Sequence, residues 1–317
     1  ATLQFIARHA GLHTGQALEH TGAMALDDLE VPPEAYGAAL PVATLLTVDA
    51  LPNWLFPRRR NSHKGESGRV LCIGGDHGSG GAIVLCAEAA LRSGAGLVDV
   101  ATRELHVPVV LARRPEVMAH GIESGEDLEP LLSRAGAIGI GPGLGQGEWG
   151  KAMLRLALAS QNPLVLDADA LNFLAAAPRV LTDAILTPHP GEAARLLGID
   201  TAAVQADRFA AAAAIAVRYE AVTVLKGAGT VIAAPGQLPC VISAGNPGMA
   251  VGGMGDVLTG VILALRAQGL SAFDAACAGA LLHSLAGDAA AGDGERGLLP
   301  SDLFPHLRRL ANPGDLE

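Results

Sequence analysis

The residue best placed for chemistry in this sequence is Asp256, a single acid within a glycine-rich stretch. The stretch covers 246–260, reads NPGMAVGGMGDVLTG, and leads into an apolar run that ends near Gly269. This pattern predicts a glycine loop followed by the N-terminus of a buried helix. The first turn of such a helix has unpaired N–H groups and a partial positive charge, so it can hold phosphate oxygens. Asp256 could then take a proton from a hydroxyl aimed at the phosphate. The simpler interpretation is a tight turn in which Asp256 is an ordinary N-cap.

Other glycine-rich and polar segments directly follow predicted strands. These segments are Gly74–Asp76, Gly141–Gly145, Asp167–Asp169, Thr187–Glu192 and Lys226–Thr230. Ligands of a parallel sheet bind beyond the carboxyl ends of its strands. We therefore expect these segments to share one rim with the Asp256 loop and to form an active site. Each has a plainer alternative when taken alone. Gly141–Gly145 can be only a turn. His189 can be only a helix cap, and Lys226 can be only a solvated side chain.

Short apolar segments alternate with helical ones from residue 68 onward. The segments that we expect to be strands are 69–75, 97–102, 137–141, 163–167, 184–187, 222–226 and 231–233, and the clearest helices are 82–93 and 193–197. Such alternation is typical of parallel βαβ units with both sheet faces covered. The prediction is an α/β domain with a doubly wound, mostly parallel sheet and helices on both faces. Residues 45–55 are expected to form a short helix.

Composition limits the classes of protein that the chain can represent. Half of the 317 residues are hydrophobic and 17% are charged, which allows a large core. The net charge of −10 argues against broad binding to nucleic acid or to anionic membranes. The four cysteines are widely spaced and are expected to be reduced core thiols of a cytoplasmic protein. No signal-peptide pattern is present, and the initial Ala suggests a piece of a longer chain.

Several familiar site motifs are absent from the sequence. It contains no P-loop Gly-x-x-x-x-Gly-Lys-[Ser/Thr] run and no Gly-x-Ser-x-Gly elbow. The glycines of 74–81 lack the Gly-x-Gly-x-x-Gly register, and no His/Cys cluster has zinc spacing. These absences argue against a P-loop enzyme, a redox Rossmann domain and a zinc site.

Seven segments of the chain together resemble those of a known family. They are 63–70, 80–98, Gly141–Gly145, Asp167–Asp169, Thr187–Glu192, Lys226–Thr230 and Asn246–Gly260. In this order they resemble the ADP-dependent NAD(P)H-hydrate dehydratases, which have a ribokinase-like fold. The likeness covers about residues 60–310. It implies repair of NADH or NADPH hydrated on the nicotinamide ring (NADHX and NADPHX), by phosphorylation of the ring hydroxyl and elimination of phosphate. ADP is the implied co-substrate, and AMP and phosphate are its products. Mg²⁺ is expected to balance the charge of the phosphates, and no residue is assigned as its ligand.

The resemblance also implies roles for individual residues. Contacts to the hydrated nicotinamide nucleotide fall on Ala82, Gly145, His189 and Asp256, with Asp256 as the catalytic base. The adenine nucleotide would be held by Lys226, Gly227, Ala228, Gly229, Thr230 and Gly255. The N–H groups of Gly252 and Gly253 would stabilise the phosphoryl charge. A homo-oligomer is expected, whereas a preference for NADH or NADPH cannot be assigned.

Residues 1–35 resemble, more weakly, the last strand and tail of an NAD(P)H-hydrate epimerase domain. We therefore divide the chain into this tail with a linker, 1–41, and a dehydratase domain, 42–317. The predicted strand Thr2–Ala7 would have lost its parent sheet, so we expect it to be disordered or to pair with the dehydratase edge or a neighbouring subunit. A chain that starts near Val42 is expected to keep full activity.

Two other functions fit part of this pattern. A kinase of a small vitamin or sugar alcohol with the same fold would share the glycine loop and the acid. A non-catalytic nucleotide sensor would keep the glycine loops but would not need Asp256.

Overall fold

The computed structural model describes residues 1–37 and 39–312. Its strands are β1 Thr2–Phe5, β2 Met24–Asp27, β3 Thr44–Leu45, β4 Arg69–Ile73, β5 Leu97–Thr102, β6 Met118–Gly121, β7 Ala137–Ile140, β8 Leu164–Leu166, β9 Ala184–Leu186, β10 Val222–Leu225, β11 Thr230–Ala233 and β12 Cys240–Ile242. Its helices are α1 Leu18–Thr21, α2 Gly80–Arg92, α3 Val107–Arg113, α4 Glu129–Leu132, α5 Glu148–Ala159, α6 Ala168–Ala176, α7 Pro190–Leu197, α8 Thr201–Ala206, α9 Arg208–Tyr219, α10 Met254–Ala267, α11 Ala272–Ala290 and α12 Leu303–Leu310.

A ten-stranded sheet forms the centre of the molecule, in the order β3-β12-β11-β10-β9-β8-β7-β4-β5-β6. Its neighbours run parallel except where β11 pairs with β10 and β12, and this confirms the predicted mostly parallel sheet. In the register, Val70 of β4 lies opposite Val98 of β5 and Ala137 of β7. Because the connecting helices return every parallel strand to the same direction, the carboxyl ends of β4 and β7–β10 meet at one edge.

Helices cover both faces of this sheet, as predicted. Alternate residues of β4 point to opposite sides: Val70 and Cys72 pack with α2, α10, α11 and α12, whereas Leu71 and Ile73 pack with α4 to α9. Both layers are built mainly from Ala, Val, Leu and Ile. All four cysteines are buried free thiols, which confirms the sequence-based expectation.

Glycines allow α10 to lie directly on α2. A Cβ at Gly260 of α10 would stand 2.1 Å from the carbonyl oxygen of Cys86 in α2. On the sheet side, a Cβ at Gly139 of β7 would stand 2.8 Å from Leu263 of α10. Neither contact leaves room for a methyl group, so these glycines set the spacing between the two helices and the sheet.

The N-terminal strand differs from its prediction. β1 pairs in parallel with β2, with Thr2 opposite Met24, in a separate two-stranded sheet. The expectation of a disordered strand was therefore wrong, and within this chain the strand pairs with β2 rather than with the dehydratase edge. Pairing of its other edge with a neighbouring subunit stays a prediction.

The expected helix over 45–55 was also wrong. β3 adds in parallel to β12, with Thr44 opposite Cys240, and a 3₁₀ helix over Val48–Asn53 follows. Leu51 of this turn is fully buried, and Pro52 inside it is incompatible with a longer α-helix. Within the described residues, no helix combines the length and the apolar character needed to cross a bilayer.

Candidate active site

Two glycine loops at neighbouring strand ends are joined by backbone hydrogen bonds. After β4, Gly75 N–H donates to the carbonyl of Pro142 at 3.0 Å, and Asp76 N–H donates to that of Gly143 at 2.6 Å. A Cβ at Gly74 would lie 2.0 Å from the Pro142 oxygen, so only glycine allows this approach. The two loops thus form one continuous surface beside the start of α2.

Ala82 and Gly145 both lie on this surface. Ala82 is in the first turn of α2, and a Cβ at Gly143 would stand 3.2 Å from its methyl group. Gly145 has a φ of +72° and donates its N–H to Asp169 Oδ2 at 2.9 Å. The structure therefore brings together two of the residues expected to contact the nicotinamide nucleotide.

A buried ion pair lies under the middle of the rim. The Asp167 carboxylate accepts hydrogen bonds from Lys226 Nζ at 2.7 Å, Thr187 Oγ1 at 2.9 Å and Thr259 Oγ1 at 3.0 Å. Burial disfavours its charge, but Lys226 and the two hydroxyls outweigh burial and hold the pKa of Asp167 below its ordinary value. Burial likewise opposes the charge of Lys226, yet Asp167 and then Glu192 raise the pKa of Lys226. Both groups are therefore ionised.

Gly255 lies directly against this pair. A Cβ at Gly255 would stand 3.2 Å from Lys226 Nζ and 3.3 Å from Asp167 Oδ2. Lys226 and Gly255, two of the residues expected at the nucleotide, are therefore neighbours. The loop from Lys226 continues through Gly227 and Gly229, whose φ angles are +132° and +67°, to Thr230 at the start of β11.

Asp256 is the third residue of α10, and Gly253, with φ +98°, is the N-cap of that helix. The alternative in which Asp256 is itself the N-cap is therefore wrong. Burial, and next the negative charge of Asp167, raise the pKa of Asp256 to about 7, while Lys226 opposes the rise. Two nearby carboxyl groups thus have separated pKa values, as is typical of an acid–base site. Asp256 can accept a proton near neutral pH, whereas Asp167 stays anionic.

Two glycines of the loop before α10 have different surroundings. A Cβ at Gly253 would stand 2.7 Å from Leu85 of α2, which fixes the loop against that helix. Gly252 is exposed, with no heavy atom of the described residues within 4 Å of a Cβ placed there. The exposed loop therefore faces outward beside the first turns of both α2 and α10.

His189 is the N-cap of α7, and its plainer interpretation is what the structure shows. Its Nδ1 accepts a hydrogen bond from Gly191 N–H at 3.0 Å, and Glu192 Oε2 accepts one from His189 N–H at 2.8 Å. Partial burial lowers the pKa of His189 below its ordinary value. Because this pKa is lowered, the ring is neutral at pH 7. The side chain is 51% exposed, so the ring is accessible while it caps the helix. Contact between His189 and a substrate stays a prediction.

Some residues of this site were not assigned a function by sequence reasoning. Asp167 stood in a rim segment without a role, and Thr187 and Thr259 were not singled out. Only the hydrogen bonds that Thr187, Thr259 and Lys226 donate to the Asp167 carboxylate reveal the cluster. In the described part of the chain, no group of three or more His, Cys, Asp or Glu side chains could hold a metal.

A separate cavity of about 360 Å³ lies at the other end of α2, beside Arg58, Glu88 and Arg114.

A family model described as NAD(P)H-hydrate dehydratase matches residues 70–309 of this chain. The bifunctional NAD(P)H-hydrate repair enzyme of Coxiella burnetii is 51% identical over 313 residues, which are 98% of this chain and 64% of that protein. The chain spans 60–64% of the length of three bifunctional relatives, including this one.

Two solved structures have the same fold. A ribokinase-like superfamily protein from Enterococcus faecalis gives a TM-score of 0.81 at 32% identity, covering 87% of this chain and 98% of its own. The ADP/ATP-dependent NAD(P)H-hydrate dehydratase of Bacillus subtilis, co-crystallised with ATP and Mg²⁺, gives 0.76 at 31% identity, covering 86% and 98%. The predicted ribokinase-like fold is confirmed.

Proposed function

Because this chain belongs to the NAD(P)H-hydrate dehydratase family, we propose that it converts NADHX and NADPHX to NADH and NADPH at the expense of ADP. The products are the repaired cofactor, AMP and phosphate. The observation that carries the proposal is the Asp256 carboxyl, whose pKa is raised to about 7 within the first turn of a helix that follows a glycine loop. A base with that pKa is half ionised at neutral pH and can take a hydroxyl proton.

The proposed reaction has two steps. First, the ring hydroxyl oxygen attacks the β-phosphorus of ADP while Asp256 accepts the hydroxyl proton, and the bond from that phosphorus to AMP breaks. Next, the ring carbon–oxygen bond breaks, phosphate leaves with the bonding electrons, and loss of a ring proton restores the double bond. The N–H groups of Gly252 and Gly253 stabilise charge on the transferred phosphoryl group.

The residues around Asp256 have complementary roles in this proposal. Ala82, Gly145 and His189 contact the nicotinamide nucleotide, and Lys226 to Thr230 with Gly255 hold the adenine nucleotide. The Lys226 ammonium, 2.7 Å from Asp167, would bring fixed positive charge close to the phosphates. Its ion pair is already complete without ligand, so the site needs little reorganisation.

Magnesium would be held mainly by the nucleotide in this proposal. The described residues offer no ready cluster of metal ligands, which fits an ion that arrives with the phosphates. The ion would neutralise phosphate charge; the proton transfer stays with Asp256.

The cysteines indicate the cellular context. Four buried free thiols fit a reducing compartment, and we propose a cytoplasmic location. Residues 1–41 are proposed to be the tail of a fused epimerase domain with its linker, and assembly into a homo-oligomer remains a prediction.

The decisive experiment mixes the protein with hydrated NADH, ADP and Mg²⁺ and follows the return of reduced-nicotinamide absorbance. Asp256→Asn serves as the matched inactive control. Recovery of absorbance together with AMP and phosphate supports the dehydratase. A phosphorylated small alcohol as the product, without repair of NADHX, would instead identify a kinase of the same fold.

A further inference from the structure

The N-terminal segment is bound to the loop that we propose for the nucleotide. Gly15 N–H donates to the carbonyl of Ala228 at 2.9 Å, and Thr14 Oγ1 donates to that of Gly229 at 2.6 Å. His13 Nδ1 lies 3.0 Å from Ser243 Oγ, just beyond β12. His13, Thr14 and the Gly229 contact are all buried. Residues 13–15 are therefore packed into the domain rather than draped over it.

Arg208 completes this contact from the other side. Its Nε donates to Thr14 Oγ1 at 2.8 Å, so the threonine hydroxyl receives one hydrogen bond and donates another. The same guanidinium donates to the carbonyls of Leu225 and Lys226, both at 3.2 Å. Arg208 is only 3% exposed, and burial lowers its pKa to about 10. Among the described residues no acidic side chain pairs with it, so its hydrogen bonds go to the loop, to Thr14 and to Gln205 Oε1 at 2.7 Å.

Gly229 is shaped by the N-terminal segment. A Cβ there would stand 2.1 Å from the carbonyl oxygen of His13 and 2.4 Å from the Cα of Thr14. Its φ of +67° adds a second reason for glycine. The backbone of the loop and that of residues 13–14 thus touch without an intervening side chain, so a displacement of one moves the other.

We propose that Thr14, held by Arg208, is a positioning residue for the adenine-nucleotide loop 226–230, so that the N-terminal segment sets the affinity for ADP. This inference rests on the proposed nucleotide role of that loop. A hydroxyl with one donor and one acceptor partner on fixed groups selects one position of the loop backbone. Removing the segment would free the Ala228 carbonyl of its bond from Gly15 and the Gly229 carbonyl of its bond from Thr14, and would leave the Arg208 Nε–H without its Thr14 acceptor. On this proposal, a chain that starts near Val42 should lose activity at limiting ADP, contrary to the sequence-based expectation of full activity.

The test uses the full chain with Thr14→Val, which keeps the shape of the side chain and removes its hydroxyl. We expect KM for ADP to rise roughly three- to tenfold, as for loss of a buried hydrogen bond, with kcat little changed. Thr14→Ser, which restores the hydroxyl, should return KM to that of the unmodified chain.

Thr2→Val is the matched control from the same segment. Thr2 Oγ1 donates to the carbonyl of Thr21 at 2.7 Å, away from the loop, so its loss should leave KM for ADP unchanged. If Thr14→Val binds ADP normally while Gly227→Val binds it poorly, the positioning role is wrong and the nucleotide assignment survives. If neither change weakens ADP binding, the assignment of the loop to the nucleotide fails as well.

Hydrogen exchange on the unsubstituted protein provides a test that does not depend on a variant's folding. Saturating ADP should slow exchange in residues 226–230 and, together with them, at the Gly15 amide that bonds to Ala228. Protection of the loop with no change around Gly15 would overturn the proposal.

Discussion

Lys226 Nζ lies 2.7 Å from Asp167 Oδ1, in an ion pair that joins the end of β10 to the end of β8 across β9. Thr187, at the end of β9, donates to the same carboxylate at 2.9 Å. The pair therefore fixes three neighbouring strand ends. It also places one negative and one positive charge beside Asp256, where they act on its pKa in opposite directions.

Asp167→Asn should shift the pH dependence of turnover. The charge of Asp167 helps to raise the pKa of Asp256 to about 7. Removing that charge should lower the pKa of Asp256, so the midpoint of the kcat–pH profile should move to a lower pH than in the wild type. Among the described residues, the ion-pair partner left to Lys226 would be Glu192 at 3.7 Å, so urea unfolding should show a loss of up to about 3 kcal/mol.

The matched change for that experiment is Asp183→Asn. Asp183 pairs with Arg266 just before β9, at the opposite end of that strand. It should leave the midpoint in place. An Asp167→Asn profile that coincides with wild type would contradict the proposed coupling between the two carboxyl groups.

Asp256→Asn should lower kcat by about 10² or more with modest change in ADP affinity, while it stabilises the fold in alkaline solution. The folded protein keeps the Asp256 proton up to about pH 7, whereas the unfolded chain releases it near the ordinary value of 3.8. Between these values unfolding releases a proton, so this group makes the free energy of unfolding fall as pH rises. Melting temperatures at pH 5 and pH 8 check this, since the variant should lose less stability over that range. Equal slopes would show that Asp256 is not perturbed.

Gly227→Val should weaken ADP binding in a protein that still folds. Gly227 is exposed, but its φ of +132° is unfavourable for a β-branched residue, and a Cβ there would meet Arg208 at 3.2 Å. We expect a distorted loop and a local cost of about 1–3 kcal/mol. Gly236→Val also places a β-branched residue at a positive φ, +72°, but in a turn with open space around the Cβ, and titration calorimetry should show normal ADP affinity for it. Equal ADP affinities for the two variants would place the nucleotide elsewhere.

His283 should make the fold sensitive to acid. It is buried in α11, and burial lowers its pKa to about 4. The imidazole of His283 is protonated near pH 6.5 in the unfolded chain but only near pH 4 in the folded protein. The free energy of unfolding should therefore fall by about 2 kcal/mol as pH falls from 6.5 to 5. His283→Asn lacks the titrating group, so its melting temperature should fall less over that interval. The prediction is wrong if the variant and the wild type lose stability in parallel.

The sheet and the location of the site could be predicted from the sequence because their signals are local. Strands covered on both faces are continuous apolar runs, as in 70–73 and 137–140, and glycine-rich turns mark their carboxyl ends. The two-residue β3 was missed because so few residues carry no periodic pattern. The three-residue β12 was also missed, although β8 and β9 of the same length were predicted from their longer apolar surroundings.

The polar contacts inside the site could not be predicted, because each depends on a partner far away in the chain. Asp167 and Lys226 are 59 residues apart, and Arg208 and Thr14 are 194 apart. No spacing rule connects such residues. The capping role of His189 was open as an alternative because all its partners lie within three residues.

The contact of Gly260 with the backbone of Cys86 has a consequence for how the substrate pocket can evolve. Gly260 lies one turn beyond Asp256 on α10, and Cys86 lies one turn beyond Ala82 on α2. A methyl group at Gly260 would wedge these helices apart and increase the distance from Asp256 to Ala82, two residues that we propose to contact the substrate. A buried glycine would therefore set a dimension of the proposed site, and a comparison of lining residues alone would overlook it.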